Sequence, residues 1–215
     1  MLRTEFITPD KSLLGTVKVD NFKFEPAELG VYQTEKLQKL LGVLGTDVDL
    51  DLAKVGDRSL SLNIKQDSSH GSSVSIDYVL SDLSVIPLPP SLKKLPEFET
   101  KIKLDSNFID TFIKGKSALN DVDMFSIVKN KSGGVDAIIG YSSTNTNRVN
   151  ITTETMQNGV DEPIMFNANL FKEVLVANKE CTSAVLEVSN SGLARVQFKV
   201  DDYESTYFIV AVQDV

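Results

Sequence analysis

Asn169-Leu-Phe-Lys-Glu-Val-Leu-Val-Ala-Asn178 is followed by three apolar-rich runs: Ser183–Val188, Leu193–Val200 and Ser205–Val212. In the first segment Leu170, Phe171, Val174 and Leu175 share one stripe at helical spacing, and Lys172 and Lys179 lie off it. The runs that follow alternate apolar and polar residues, the period of a strand with one buried face. Asn190-Ser-Gly and Asp201-Asp-Tyr-Glu between them have turn composition. The order is a short amphipathic helix, then three strands joined by tight turns.

The same order recurs upstream. Ser106–Ala118 carries the stripe Phe108, Ile109, Phe112 and Ile113. Asp105 or Ser106 is placed to cap its start, and Lys114 and Lys116 end it, where cations suit the helix dipole. Strands are expected over Met124–Lys129, Val135–Tyr141 and Arg148–Thr155, with turns at Lys131-Ser-Gly-Gly and Ser143-Thr-Asn-Thr-Asn. Earlier still, Leu37, Leu40, Leu41 and Leu44 make a stripe over Glu35–Leu44, with Lys36 and Lys39 outside it. Strands over Val48–Leu52, Ser59–Gln66 and Ser73–Leu80 follow, the last two joined by Asp67-Ser-Ser-His-Gly-Ser. The remaining piece predicts strands at Phe6-Ile7, Leu14–Val19 and about Phe24–Tyr32, with no helix before them. Four units result, two per domain, and the first lacks its N-terminal helix.

The boundary between the domains is Ser84–Pro96, where four prolines remove backbone donors and fix φ. The division is 1–86 for an N-terminally incomplete first domain, 87–98 for a Pro-rich connector and 99–215 for a second domain. The class is α+β.

Composition excludes several functions. No apolar run approaches the roughly 18 residues of a membrane helix, and Met1-Leu2-Arg3-Thr4-Glu5 has no signal-peptide core. One cysteine, Cys181, forms no intramolecular disulfide, which fits a reducing compartment. The net charge is −8, and 1–100 and 101–215 each hold 11 basic and 15 acidic residues. Any contact with nucleic acid therefore needs lysines gathered on one face.

Catalytic patterns are absent. Asp47, Asp49 and Asp51 share a strand face that offers oxygen ligands to calcium or magnesium, but no EF-hand spacing accompanies them. A solvated strand face is the simpler reading. His70 sits in a Ser/Gly turn and reads as an exposed loop histidine. No nucleophile elbow, phosphate loop or dinucleotide fingerprint occurs. No residue is assigned a catalytic or metal-binding role, and no cofactor is expected.

The C-terminal third of the chain resembles the DNA polymerase sliding clamps of T-even-type tailed phages. The residues that carry the resemblance are Ala184-Val-Leu-Glu-Val-Ser, Ala194-Arg-Val-Gln-Phe-Lys-Val-Asp and Tyr203-Glu-Ser-Thr-Tyr-Phe-Ile-Val-Ala-Val. Tyr32-Gln-Thr-Glu-Lys-Leu-Gln-Lys-Leu-Leu-Gly-Val-Leu resembles the first-domain helix of that family. The likeness in order of elements covers about Leu2 to Val212. Family members begin with a short strand and a helix, which this chain lacks.

The resemblance implies a sliding-clamp fold and a processivity factor: a homotrimeric ring around duplex DNA that tethers the replicative DNA polymerase and is handled by a clamp loader. It implies a viral protein in the cytoplasm of the infected host cell, with no enzymatic activity and no membrane partner. Lys36, Lys39, Lys114, Lys116, Lys172 and Lys179 are then the DNA-facing residues, touching phosphates without reading bases. Val85, Ile86, Pro87, Leu88, Val210 and Val212 are the candidate partner-peptide pocket. Two other classes stay open: a β-rich virion or adhesion protein, and a soluble hydrolase.

Overall fold

The computed structural model describes residues 1–45, 47–56, 58–67, 73–90, 92, 94–144, 146–181 and 183–212. The chain forms two units, Lys23–Pro87 and a second made of Met1–Phe22 with Leu88–Val215. The sequence reading grouped 1–86 together; in the structure the first 22 residues fold with the C-terminal unit instead. Those residues are the hairpin of β1 (Leu2–Ile7) and β2 (Leu13–Val19).

In the unit Lys23–Pro87, residues 24–32 form no strand, contrary to the sequence expectation. Pro26 removes a ladder donor. Gly30 lies so close to the facing chain that a Cβ there would stand 2.2 Å from the Ser81 carbonyl oxygen. Helix α1 (Thr34–Leu41) follows, then strands β3 (Asp49–Val55), β4 (Arg58–Asp67) and β5 (Ser73–Val79) in an antiparallel meander. Leu37 and Leu40 of α1 pack on buried Leu52, Tyr78 and Leu80. The Tyr78 hydroxyl donates to the Gln33 carbonyl at the helix start, 3.2 Å away. His70 lies outside the described residues.

The larger unit continues with β6 (Thr100–Asp105), α2 (Ser106–Ala118), β7 (Met124–Lys129), β8 (Val135–Ile139), β9 (Val149–Thr152) and β10 (Glu154–Gln157). It ends with β11 (Ile164–Asn167), α3 (Ala168–Ala177), β12 (Ser183–Ser189), β13 (Leu193–Val200) and β14 (Tyr203–Val210). Each helix is thus preceded by a strand that the sequence reading omitted. The last residue of each lead strand is also the helix cap. Asp105 accepts the Phe108 N–H at 2.7 Å, and Asn167 accepts the N–H groups of Asn169 and Leu170 at 2.9 and 3.0 Å.

Two sheets result, ordered β1-β2-β14-β13-β12-β6-β10 and β11-β7-β8-β9. The lead strands are exchanged between the repeats. β6 precedes α2 yet pairs with β12 of the other repeat, and β11 precedes α3 yet pairs with β7. The run expected as one strand, 148–155, divides at Thr153. Its first part, β9, stays in the smaller sheet and its second, β10, crosses to the edge of the larger one. Between the sheets, Phe112 of α2 packs edge-on against Phe125 of β7 and Phe171 of α3, with ring centroids 5.0 and 4.8 Å apart. All three rings are buried, each removal of such a side chain from water contributing about 1.5–3 kcal/mol.

The hairpin joins this unit because β2 pairs along β14 from Leu13↔Ile209 to Val19↔Tyr203. Gly15, opposite Tyr207, leaves room for the Phe6 ring, and a Cβ at Gly15 would stand 2.3 Å from that ring. Phe6 covers the glycine and meets Tyr207 edge-on at 6.3 Å. Beside it, the buried Asn178 amide donates to the Val174 carbonyl and the Tyr207 hydroxyl. Its oxygen accepts from Tyr203 and Ser205 at 2.9 and 2.7 Å. This buried polar knot is satisfied throughout, so it costs little and locks the end of α3 onto β14.

Two outcomes follow from these contacts. Gly15→Val unseats Phe6, and urea unfolding is expected to register a loss of about 1–3 kcal/mol, part of which Phe6→Ala in the same chain restores. Burial raises the Tyr203 phenol above its usual 10.0. The folded state therefore favours the neutral phenol. Its contribution is complete below the unfolded-state value and is lost as pH rises through the folded-state value. Urea midpoints above pH 10 should fall in the parent protein and fall less in Tyr203→Phe.

Candidate partner-docking cleft and lysine faces

The sequence Asp161-Glu-Pro-Ile-Met165 leads into β11, an edge strand of the smaller sheet. Residues 211–212, just past β14, run beside it, and the Val212 N–H donates to the Met165 carbonyl at 2.8 Å. Between them lies a cleft of about 380 Å³. Pro163, Ile164, Met165, Ala211 and Val212 form its apolar part, and Asp161, Glu162 and Asn190 its polar part. Asn190 sits in the β12–β13 turn, which reverses through Gly192 at φ 87°.

The turn is tied to the cleft by hydrogen bonds. The Asn190 side-chain amide donates to the Gly159 carbonyl at 2.8 Å and to the Asp161 carboxylate at 3.0 Å. The Asn190 backbone N–H donates to the Glu99 carboxylate at 2.9 Å, which holds that carboxyl below the usual glutamate range. The residue just past the Pro-rich connector is therefore bonded to the wall of the cleft. Gly159 permits this close approach, since a Cβ there would lie 2.7 Å from the Glu99 Cβ.

Of the expected pocket residues, only Val212 lines this cleft. Val210, half-exposed, does not line it. Val85, Ile86 and Pro87 belong to the unit Lys23–Pro87, and Leu88 begins the other segment, 86% exposed. Val85 closes a short 3₁₀ turn capped by Asp82, whose carboxylate accepts the Ser84 N–H. The stretch 161–165 escaped the sequence reading. Its signal was a pair of carboxylates followed by Pro163 and two apolar residues.

The six lysines fare differently. Lys36, Lys114 and Lys179 are exposed, and no hydrogen bond or ion pair holds their ammonium groups among the described residues. Lys39 is exposed but paired with Glu35 one turn earlier, and Lys172 is half-buried. Lys116 is a correction: it is 3% exposed, and its ammonium donates to the Leu119 and Asn120 carbonyls at 3.3 and 3.2 Å. It satisfies the C-terminal end of α2 rather than meeting a ligand. The solvent side of α2 carries Asp110 beside Lys114, and that of α3 carries Glu173 beside Lys172. The two helix faces of this unit are balanced in charge, not cationic.

The opposite face of the large sheet holds its charges in pairs. Glu187, 4% exposed, lies between Arg195 and Lys101. Arg195 also stacks over Phe98 of the connector, 4.7 Å from the ring centroid. Lys103 meets Glu154, and Lys199 meets Glu204. Among the described residues no group of three or more His, Cys, Asp or Glu is arranged to hold a metal, and no helix is long and apolar enough to cross a membrane.

No protein-family model matches this sequence, and no curated protein matches it. The chain is similar in structure to the proliferating cellular nuclear antigen from Entamoeba histolytica, with a TM-score of 0.71 over 98% of this chain and 85% of that one. The sequence identity is 16%, so the likeness is one of fold. The fold is α+β and is that of a sliding clamp.

Lys116→Met keeps the buried stem but removes the ammonium donor, leaving the Asn120 carbonyl without it and the Leu119 carbonyl with the Val122 N–H alone. Chemical unfolding should show a loss of about 1–3 kcal/mol.

Proposed function

We propose that this chain is a subunit of a sliding clamp, a non-enzymatic ring that encircles duplex DNA and tethers a replicative DNA polymerase. The observation that carries the reading is the exchanged repeat: two strand–helix–strands modules that donate their lead strands to each other, within a fold shared with the proliferating cellular nuclear antigen. The resemblance of the C-terminal third of the chain to T-even-type phage clamps supports a viral origin, a homotrimer, a clamp loader as partner and a site of action in the infected host cytoplasm. Processivity then comes from tethering, since a held enzyme rebinds faster than it diffuses away.

Lys36, Lys114 and Lys179 are the phosphate contacts in this reading, with Lys39 and Lys172 secondary to them. Because acidic neighbours offset them, intrinsic affinity for DNA is weak and the ring holds by topology. The cleft beside β11 is the partner site, taking an apolar segment of the polymerase or loader.

Light scattering tests assembly, and a species of about three times 23.6 kDa is expected. Retention tests topology: protein loaded on nicked circular DNA should stay, and should run off once the circle is cut. Lys36→Ala with Lys114→Ala and Lys179→Ala should lower the affinity for linear duplex by roughly 3–10-fold in dilute salt and flatten its salt dependence. A monomer at every concentration, or equal retention on cut and closed DNA, would overturn the reading. Balanced helix faces would then favour a β-rich virion or adhesion protein.

A further inference from the structure

We propose that the cleft beside β11 selects a partner segment in which a cationic side chain stands next to an apolar one. This rests on the reading of that cleft as the partner site, and adds the chemistry it recognises.

The apolar part, Ile164, Met165 and Val212 chief among it, offers burial for one or two side chains. Such burial is non-directional and tells apolar segments apart poorly. The polar part supplies what the apolar part lacks. Asp161 and Glu162 both line the cleft, and no lysine or arginine does. Neither carboxylate has an ion-pair partner among the described residues. Glu162 has no hydrogen-bond partner there either, and Asp161 receives only the neutral Asn190 amide, on one oxygen.

That single contact is a positioning device. Asn190 is held through its backbone N–H by Glu99 and through its amide by the Gly159 carbonyl, so it cannot swing away with Asp161. One Asp161 oxygen is fixed and the other is left to a visitor. A lysine or arginine suits this layout, because its aliphatic stem lies along apolar surface while its head reaches a carboxylate. An acidic residue at the same place would meet two uncompensated charges and be rejected. The ion pair is at a rim, so it governs partner choice and salt sensitivity more than overall affinity.

The test uses the full chain and a surface-displayed library of random dodecapeptides sorted against it. Enrichment of peptides with Lys or Arg adjacent to apolar residues is expected. A synthetic peptide from that set should bind about five-fold more weakly to Asp161→Asn with Glu162→Gln, and no more weakly to a control that loses the same charge on the other unit, Asp49→Asn with Asp77→Asn. Met165→Arg should abolish binding of every enriched peptide. Apolar peptides enriched without excess Lys or Arg would overturn this inference and leave the cleft as the partner site. Basic peptides that respond equally to both charge-removing pairs would do the same, since net charge would then explain them. If the library yields nothing, or if Met165→Arg is without effect, the cleft is not the partner site and both readings fall.

Discussion

The meeting of Phe112, Phe125 and Phe171 is the constraint on which the larger unit depends. Each helix carries one narrow apolar stripe, too small to make a core with its own three strands. Phe112 from one repeat and Phe171 from the other fill the same space, 4.8 Å apart, over Phe125. Neither repeat therefore closes a core alone. The exchange of lead strands expresses the same dependence in the backbone, since β6 completes the sheet of the second repeat and β11 that of the first. Once the stripes are turned inward, most of the remaining helix residues face solvent, Gly115 and Lys116 of α2 being exceptions, and the alternation along each strand sends its charged residues to the far side of the sheet.

The cleft is a by-product of that exchange. β11 must lie at the edge of the smaller sheet to pair with β7, and its free side is met by the chain leaving β14. Asn190 then links three segments distant in sequence: Glu99 just past the connector, the loop at Gly159 and Asp161, and its own turn. A groove walled by β11 and anchored to Glu99 is a firm surface for an extended segment.

Much of this was legible in advance where the signal was local. The helix Ser106–Ala118 agrees residue for residue, because its stripe, its Asp105 cap and its polar end lie within fifteen positions. The hairpins with Asn or Gly turns were equally plain. The lead strands were not, since four to six residues with one or two buried positions stand out weakly from a loop. The run at 24–32 was over-read, because its alternation is real but Pro26 and the close approach at Gly30 deny it a partner strand. Lys116 shows the same limit at the level of a side chain: seven residues after Ile109 and four after Phe112 it continues the buried face, but its charge suggested solvent, and only the tertiary structure brings the Leu119 and Asn120 carbonyls to its ammonium.

By itself, then, the order of amino acids determined the α+β class, the recurring helix-and-strands module, the turns and the absence of any catalytic motif, because periodicity and turn chemistry act over a few residues. Tertiary structure alone decided which sheet each lead strand enters, that the first 22 residues join the C-terminal unit, which lysines stay in water, and that Asp161, Glu162, Met165 and Val212 share a cleft. Those outcomes rest on pairings between segments separated by tens of residues or more, and such pairings are chosen by which buried faces and unsatisfied backbone groups find each other, a competition no local window contains.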